Sequence, residues 1–280
     1  MKTVETFSDL YKNLVNLKRP LGFVPTMGFL HDGHLSLVQK AKDECGSVVV
    51  SIFTNPTQFA PDEDLENYPR DIERDLNLLS GIGTDLVWIP KVDAMYPENF
   101  QTWVDVEHIT KLLEGQFRSA HFRGVTTVVS KLFNAVKPEK AYFGQKDAQQ
   151  ALVIKRMVRD LNYPIDVVVC PIIREPDGLA MSSRNSYLNE QERQAALCLS
   201  QGLTLARKAF NKGECKAEEL IKLISHKVKQ EPLAKLEYIS CADPESLQEL
   251  EGEVESCLLS LAVFIGQTRL IDNLVLPGSN

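Results

Sequence analysis

Three short stretches of the chain carry side chains suited to gripping phosphate oxygens. In Pro25-Thr26-Met27-Gly28-Phe29-Leu30-His31-Asp32-Gly33-His34, two histidines stand three residues apart and can donate hydrogen bonds to an anion. In Gly144-Gln145-Lys146-Asp147-Ala148-Gln149-Gln150, a lysine closely follows a glycine. In Met181-Ser182-Ser183-Arg184-Asn185, two hydroxyls adjoin a guanidinium, which can bind phosphate through two parallel N–H groups. Each stretch also has a plainer reading. Histidines in a turn are often only solvated, a lysine beyond a strand is often a surface residue, and Ser182 could cap the helix expected after Asn189. No G-x-x-x-x-G-K-[ST] occurs, so this is not a P-loop. His31 and His34 lack a third His or Cys ligand nearby, which makes metal the weaker reading.

The surrounding pattern says how these groups are positioned. Leu21-Gly22-Phe23-Val24 reads as a buried strand, and Leu35, Leu37, Val38 and Ala41 predict a helix starting near His34 and running to about Cys45. A strand, a glycine-containing turn and a helix N-terminus together form an anion site, because free N–H groups and the positive dipole end converge there. Residues 47–53 form a β-branched run typical of a central parallel strand. Ligands of open α/β sheets bind beyond strand C-termini, which is where Asn55 and Gln58 fall; a polar capping loop is the alternative. Residues 85–90, 140–143 and 165–171 read as further strands, 5–19 and 125–136 as helices, the latter with Lys131 and Lys137 outward. Residues 62–75 are charge-rich and read as solvated, and Tyr96-Pro97 as a turn. Residues 112–125 form a basic, aromatic loop with two glycines, suited to an anion or to a plain surface.

From about residue 190 the composition becomes helix-rich, over 191–211 and 217–229, followed by strands at 236–240, 256–264 and 269–273. The predicted fold is α/β: a Rossmann-like parallel sheet over 1–171 that binds nucleotide, then a smaller C-terminal α+β domain over 172–280 carrying the serine–arginine loop. A ligand held by both would be enclosed by their closure. The chain has 280 residues, 44% hydrophobic and 25% charged, with a formal net charge of −7. That balance sets up no field to attract nucleic acid. The six cysteines are scattered without C-x-x-C, no secretory leader is apparent, and no long apolar run suggests a membrane span. A reduced, cytoplasmic, soluble protein is expected.

His31-Asp32-Gly33-His34 resembles the H-x-G-H signature of class I aminoacyl-tRNA synthetases and related nucleotidyltransferases, whose histidines contact ATP phosphates. The longer string from Pro25, together with Asn55-Pro56-x-Gln58-Phe59, the segment Glu114-Gly115 to Val125, Gly144-x-Lys146-Asp147-x-Gln149-Gln150 and Met181-Ser182-Ser183-Arg184, resembles the pantoate–β-alanine ligase family, in order along nearly the whole chain. The resemblance implies that Met27, Gly28, Phe29, Leu30, His31, Asp32, Gly33, His34, Gly144, Gln145, Lys146, Asp147, Ile173, Met181, Ser182, Ser183 and Arg184 surround ATP. Of these, His31, His34, Lys146, Ser182, Ser183 and Arg184 carry the catalysis. Gln145 stands where relatives often have Glu and is given no side-chain role. Gln58, Gln150 and Asn55 are implied to hold pantoate, and Glu114 and Arg118 to line the wall. Mg²⁺ accompanies ATP in this reading; Asp75 is a carboxylate that could help hold it, and the sequence assigns no ligand. The implied reaction joins pantoate to β-alanine through an acyl adenylate, in a homodimer. Another adenylate-forming enzyme of the superfamily, and an ATP sensor without turnover, are the alternatives; the presence of both histidines, Lys146 and the serine–arginine loop speaks against the sensor.

Overall fold

The structure, a computed structural model, describes residues 1–61 and 63–277; Asp62 of the charge-rich stretch lies outside them. The described residues form two compact units, one of Met1–Gln145 with Gln150–Pro171, the other of Lys146–Gln149 with the chain from Ile172 on. Sequence position alone assigns Lys146 to the first. In the second unit the Asn273 side chain donates to the Lys146 carbonyl at 2.9 Å.

Among the described residues the first unit is built on a six-stranded sheet in which every pairing is parallel. Its strands are β1 (Lys2–Val4), β2 (Leu21–Thr26), β3 (Ser47–Ile52), β4 (Leu86–Trp88), β5 (Lys140–Gly144) and β6 (Asp166–Cys170), ordered β1-β4-β3-β2-β5-β6. Successive strand residues face opposite sides of a sheet. Phe23, Val49, Trp88 and Phe143 accordingly join one core with Leu10, Val129, Phe133 and Ile154. Their chain neighbours Val24, Val50, Val87 and Tyr142 join another with Leu30, Val38 and Leu79. Burial on both faces explains the apolar runs that replace alternation in these strands. The covering helices are α1 (Phe7–Leu14), α2 (Asp32–Glu44), α3 (Ile72–Gly81), α4 (Val92–Met95), α5 (Glu114–Phe117), α6 (His121–Val136) and α7 (Ala148–Asp160). Strand order reverses between β2 and β5, where Phe23 pairs with Ala141. Such a switch point opens a crevice at the strand C-termini. The Met27 turn and Gly144 leave the sheet there.

Several local expectations are corrected. Residues 2–4 pair with β4 as a strand rather than entering a helix, and α1 ends at Leu14. The 112–125 stretch contains α5 and the start of α6. Its glycines serve close packing: a Cβ at Gly115 would strike the carbonyl oxygen of Thr110, and one at Gly124 that of Thr57. Lys131 is half-buried, its ammonium 4.7 Å from the Phe100 ring centroid, so it is not an outward residue.

The second unit packs α8 (Glu190–Phe210) and α9 (Ala217–Lys229) on an antiparallel sheet of β7 (Ala234–Ala242), β8 (Cys257–Ile265) and β9 (Thr268–Leu276). Leu199, Leu203, Leu220, Ile224, Leu259, Leu261 and Val263 form its core. Asn189 caps α8 through a reciprocal pair of 3.0 Å bonds with Glu192. Ser182 therefore does not cap that helix. It caps a separate 3₁₀ turn, Ser183–Tyr187.

Candidate active site

The Met27 turn is held open by a carboxylate from another element. Asp75, fully buried in the first turn of α3, accepts the Phe29 N–H on Oδ2 and the Leu30 N–H on Oδ1, both at 2.7 Å. The turn needs this anchor because Phe29 sits at φ 51°, in the left-handed region, after Gly28 at φ 87°. A Cβ on Gly28 would lie 3.1 Å from Ile52 and 3.2 Å from the Asp75 carboxylate, so glycine is also required for space. Burial pushes the Asp75 pKa up, while the two N–H bonds and Arg74 pull it back. Arg74 donates to the Leu30 carbonyl at 2.9 Å and lies over the Phe29 ring. With each oxygen bonded to a main-chain N–H, Asp75 anchors the turn.

Beyond the turn, α2 starts at Asp32 with His31 as its N-cap, two residues before the sequence placed it. The His31 N–H donates to His34 Nδ1 at 3.4 Å, and the rings lie 4.0 Å apart. Both imidazoles are half-buried at the mouth of the helix, as are Phe29 and Gly33, while Asp32 is exposed. A cavity of about 300 Å³ adjoins the turn, lined by Met27, Gly28, Phe29, Thr54, Arg70 and Lys91 among others.

The loop after β3 meets the same turn. Gln58, 8% exposed, points its Nε2 at Met27 Sδ (3.1 Å) and accepts from Asn55 Nδ2 at 3.0 Å. Asn55 was expected to face a ligand. It is 1% exposed, and its amide is used internally: it donates also to the Gly124 carbonyl at 3.2 Å and accepts from Tyr96 Oη at 2.9 Å and Thr57 Oγ1 at 3.0 Å. Asn55 thus fixes Gln58 to α6. Tyr96, which the sequence marked only as a turn, is part of this frame, and burial raises its pKa.

Arg118 and His121 support the loop from the other side. Arg118 forks onto Glu63 at 2.6 and 2.7 Å, and its charge holds the Glu63 carboxyl below the usual range against the opposing effect of burial. His121 Nδ1 lies 2.9 Å from the Gln58 carbonyl, which can only accept, so Nδ1 carries the hydrogen. Nε2 is then left to accept from Arg118 at 3.4 Å. Protonating it would bury a charge beside a guanidinium, and these two causes depress the His121 pKa to about 4. Glu114 is buried at the start of α5.

Gly144 and Gln145 leave β5 half-buried, and Lys146 follows in a 3₁₀ turn, its ammonium 3.9 Å from the exposed carboxylate of Asp147. Gln150, in the first turn of α7, is half-buried and its side chain makes no hydrogen bond among the described residues. In the second unit, Met181 donates its N–H to the Ile173 carbonyl at 3.0 Å, closing a hairpin that presents Ser182, Ser183 and Arg184. Ser183 is 7% exposed; Ser182, Arg184, Met181 and Ile173 are half-buried. Arg174, at the base of that hairpin, forks onto Asp272 of β9 at 2.7 and 2.9 Å. Asp272 and Asn273 carried no sequence signal beyond ending a strand.

The structure therefore assembles two sets of groups. The first unit joins the Met27–His34 turn to Gln58, and the second joins Lys146 to the hairpin of Ser182–Arg184 through β9. Among the described residues no group of three or more His, Cys, Asp or Glu could share an ion, and no helix is long and apolar enough to cross a membrane.

Known proteins match this arrangement. A family described as Pantoate-beta-alanine ligase matches residues 1–275. A pantothenate synthetase from Herpetosiphon aurantiacus is 59% identical over 257 residues, covering 91% of this chain and 93% of the relative. The crystal structure of pantothenate synthetase from Thermus thermophilus has a TM-score of 0.94 at 45% identity, covering 98% of this chain and 99% of that one. The pantoate–β-alanine ligase of Francisella tularensis, complexed with beta-gamma ATP and β-alanine, gives 0.80 at 34% identity, covering 98% and 97%. With a strand–turn–helix anchored by Asp75, a Gln58 loop joined to it, and full-length similarity at this level, the chain belongs to the pantoate–β-alanine ligase family.

Proposed function

We propose that the chain condenses (R)-pantoate with β-alanine at the expense of ATP, releasing AMP and pyrophosphate, in two steps. A pantoate carboxylate oxygen first attacks the α-phosphorus of ATP, and the bond to pyrophosphate breaks. The β-alanine amine then attacks the acyl carbon of the adenylate, AMP leaves, and the amine loses its proton. The observation that carries this reading is the turn Met27–His34: two imidazoles at a helix N-terminus, on a turn whose Phe29 and Leu30 N–H groups are held by Asp75, with the Gln58 amide against Met27. The Francisella relative, complexed with beta-gamma ATP and β-alanine, supports the choice of substrates.

In step one, negative charge grows on the phosphoryl oxygens and the departing pyrophosphate. His31, His34, Lys146, Ser182, Ser183 and Arg184 are the donors that would meet that charge, since hydrogen-bond donors aimed at developing charge lower the barrier. Gly28, Phe29, Leu30, Gly144, Asp147, Ile173 and Met181 shape the nucleotide's surroundings. Gln58 and Gln150 hold pantoate in line, supplying proximity, and Asn55 acts through Gln58. No protein nucleophile is required. Burial raises the thiols of Cys170 and Cys198, the latter to about 12, which removes both as thiolates.

Mg²⁺ would enter with the nucleotide and would neutralise part of the phosphate charge. Scattered, free cysteines suit a reducing cytoplasm, and a homodimer rests on family resemblance; sedimentation tests the latter. The reaction is tested by pyrophosphate–ATP isotope exchange, which should need pantoate and proceed without β-alanine. AMP release without either acid, or exchange only when β-alanine is present, would sink the two-step reading.

A further inference from the structure

Asp272 and Asn273 are consecutive on β9 and therefore face opposite sides of the sheet. On one side Asp272, 3% exposed, receives the fork of Arg174 at 2.7 and 2.9 Å, and its Oδ1 also takes the Asn273 N–H at 2.8 Å. Arg174 pairs with Ala180 in a β-bridge and donates to the Gly178 carbonyl at 3.1 Å, so it fixes the hairpin that delivers Ser182, Ser183 and Arg184. On the other side Asn273 is also 3% exposed, while its same-face neighbours Ile271 and Val275 are half-buried. Its Nδ2 donates to the main-chain carbonyl of Lys146 at 2.9 Å. A side-chain amide on a sheet that binds a distant carbonyl fixes the backbone of that residue rather than any substrate.

We infer that Asn273 is a positioning residue for Lys146, and that the Asp272–Asn273 pair sets Lys146 and the serine–arginine hairpin from one strand. The inference rests on the reaction proposed above, in which Lys146 meets phosphate charge. A carbonyl released from Asn273 lets the lysine drift, and a displacement of about 1 Å costs on the order of 10²-fold in a reaction that depends on alignment.

The test is a double-mutant cycle in the full-length chain. N273A should lower kcat for pantoate-dependent pyrophosphate exchange by about 10–100-fold and leave the KM for β-alanine unchanged. K146A should lower exchange further. In the K146A background N273A should cause no additional loss, because effects that run through one residue are not additive. A structural role alone would multiply the losses. If N273A does not fold, N273D takes its place, since it keeps the shape and removes the donor. Multiplying losses, wild-type exchange in a folded variant, or failure of both variants to fold would each overturn the inference. Absence of exchange in the wild-type chain would instead sink the reaction, and the inference with it.

Discussion

His34 sits one turn into α2, with its ring against His31 and its Nδ1 within 3.4 Å of the His31 N–H. It is half-buried and belongs to neither core cluster of its unit, so its removal should spare the fold. If it donates to the phosphoryl group in the transition state, H34A should cut pantoate-dependent exchange by about 10²–10³-fold, the usual loss for one such donor. A folded H34A with wild-type exchange would remove His34 from the mechanism. Gln150 gives a contrasting case. Its amide makes no hydrogen bond among the described residues and is half-buried, and the reaction proposed above has it hold pantoate. Sites built to bond a substrate hydroxyl discriminate strongly when that bond is lost. Q150A should raise KM for pantoate well above any change for ATP, with thermal stability unchanged; equal shifts for both substrates would contradict the assignment. Asp75 has a role that residue type alone does not reveal: it accepts two main-chain N–H groups from a turn 46 and 45 residues away.

At the scale of elements, α6 is what holds the Gln58 loop. It approaches so closely that Gly124 has no room for a methyl group beside the Thr57 carbonyl, and the Gly124 carbonyl takes a bond from Asn55. G124A should push α6 off the loop, destabilising the protein by about 1–3 kcal/mol, the range for forced overpacking, and raising KM for pantoate. Urea unfolding and steady-state kinetics check the two together. His121, at the start of the same helix, adds a pH dependence. Its pKa falls from 6.5 in the unfolded chain to about 4 when folded. Between these values the unfolded chain binds a proton that the folded one refuses, so stability falls as pH drops from about 6.5 to about 4, by at most about 3 kcal/mol. Glu63, also depressed, contributes only at lower pH, below its ordinary 4.5. Urea midpoints from pH 7.5 to 5 should therefore decline for the wild type and lose most of that slope in H121N. An unchanged slope would place the proton elsewhere.

At the scale of the whole molecule, the proposed reaction joins two steps with different proton demands. The carboxylate that attacks first is ionised throughout the neutral range. The amine that attacks second must be free base. If it titrates like a lysine, near pKa 10.4, only about one molecule in 1,000 is free base at pH 7.4. Pyrophosphate exchange should vary little between pH 7 and 9. Amide formation from preformed adenylate, in a single turnover at subsaturating β-alanine, should accelerate over that range. Parallel profiles would mean that one shared step limits both.

The sequence by itself determined the α/β class, the order of the parallel strands' buried runs, the glycine-containing turn before α2, and enough motif residues in order to indicate the family. These are properties of short windows: side-chain periodicity, β-branched runs and turn chemistry act between near neighbours, so spacing encodes them. Local windows failed where a partner lay far along the chain. Residues 2–4 are too short a run to read as a strand, and pairing with Leu86, Val87 and Trp88 makes them β1. Tertiary structure alone decided that Asn55 supports Gln58 from a carbonyl 69 residues on. It also decided that Asp272 and Asn273 reach Arg174 and Lys146 across 98 and 127 residues. Such bonds depend on cores that bring distant segments together, and no spacing in the chain records which distant segments burial will bring to one strand.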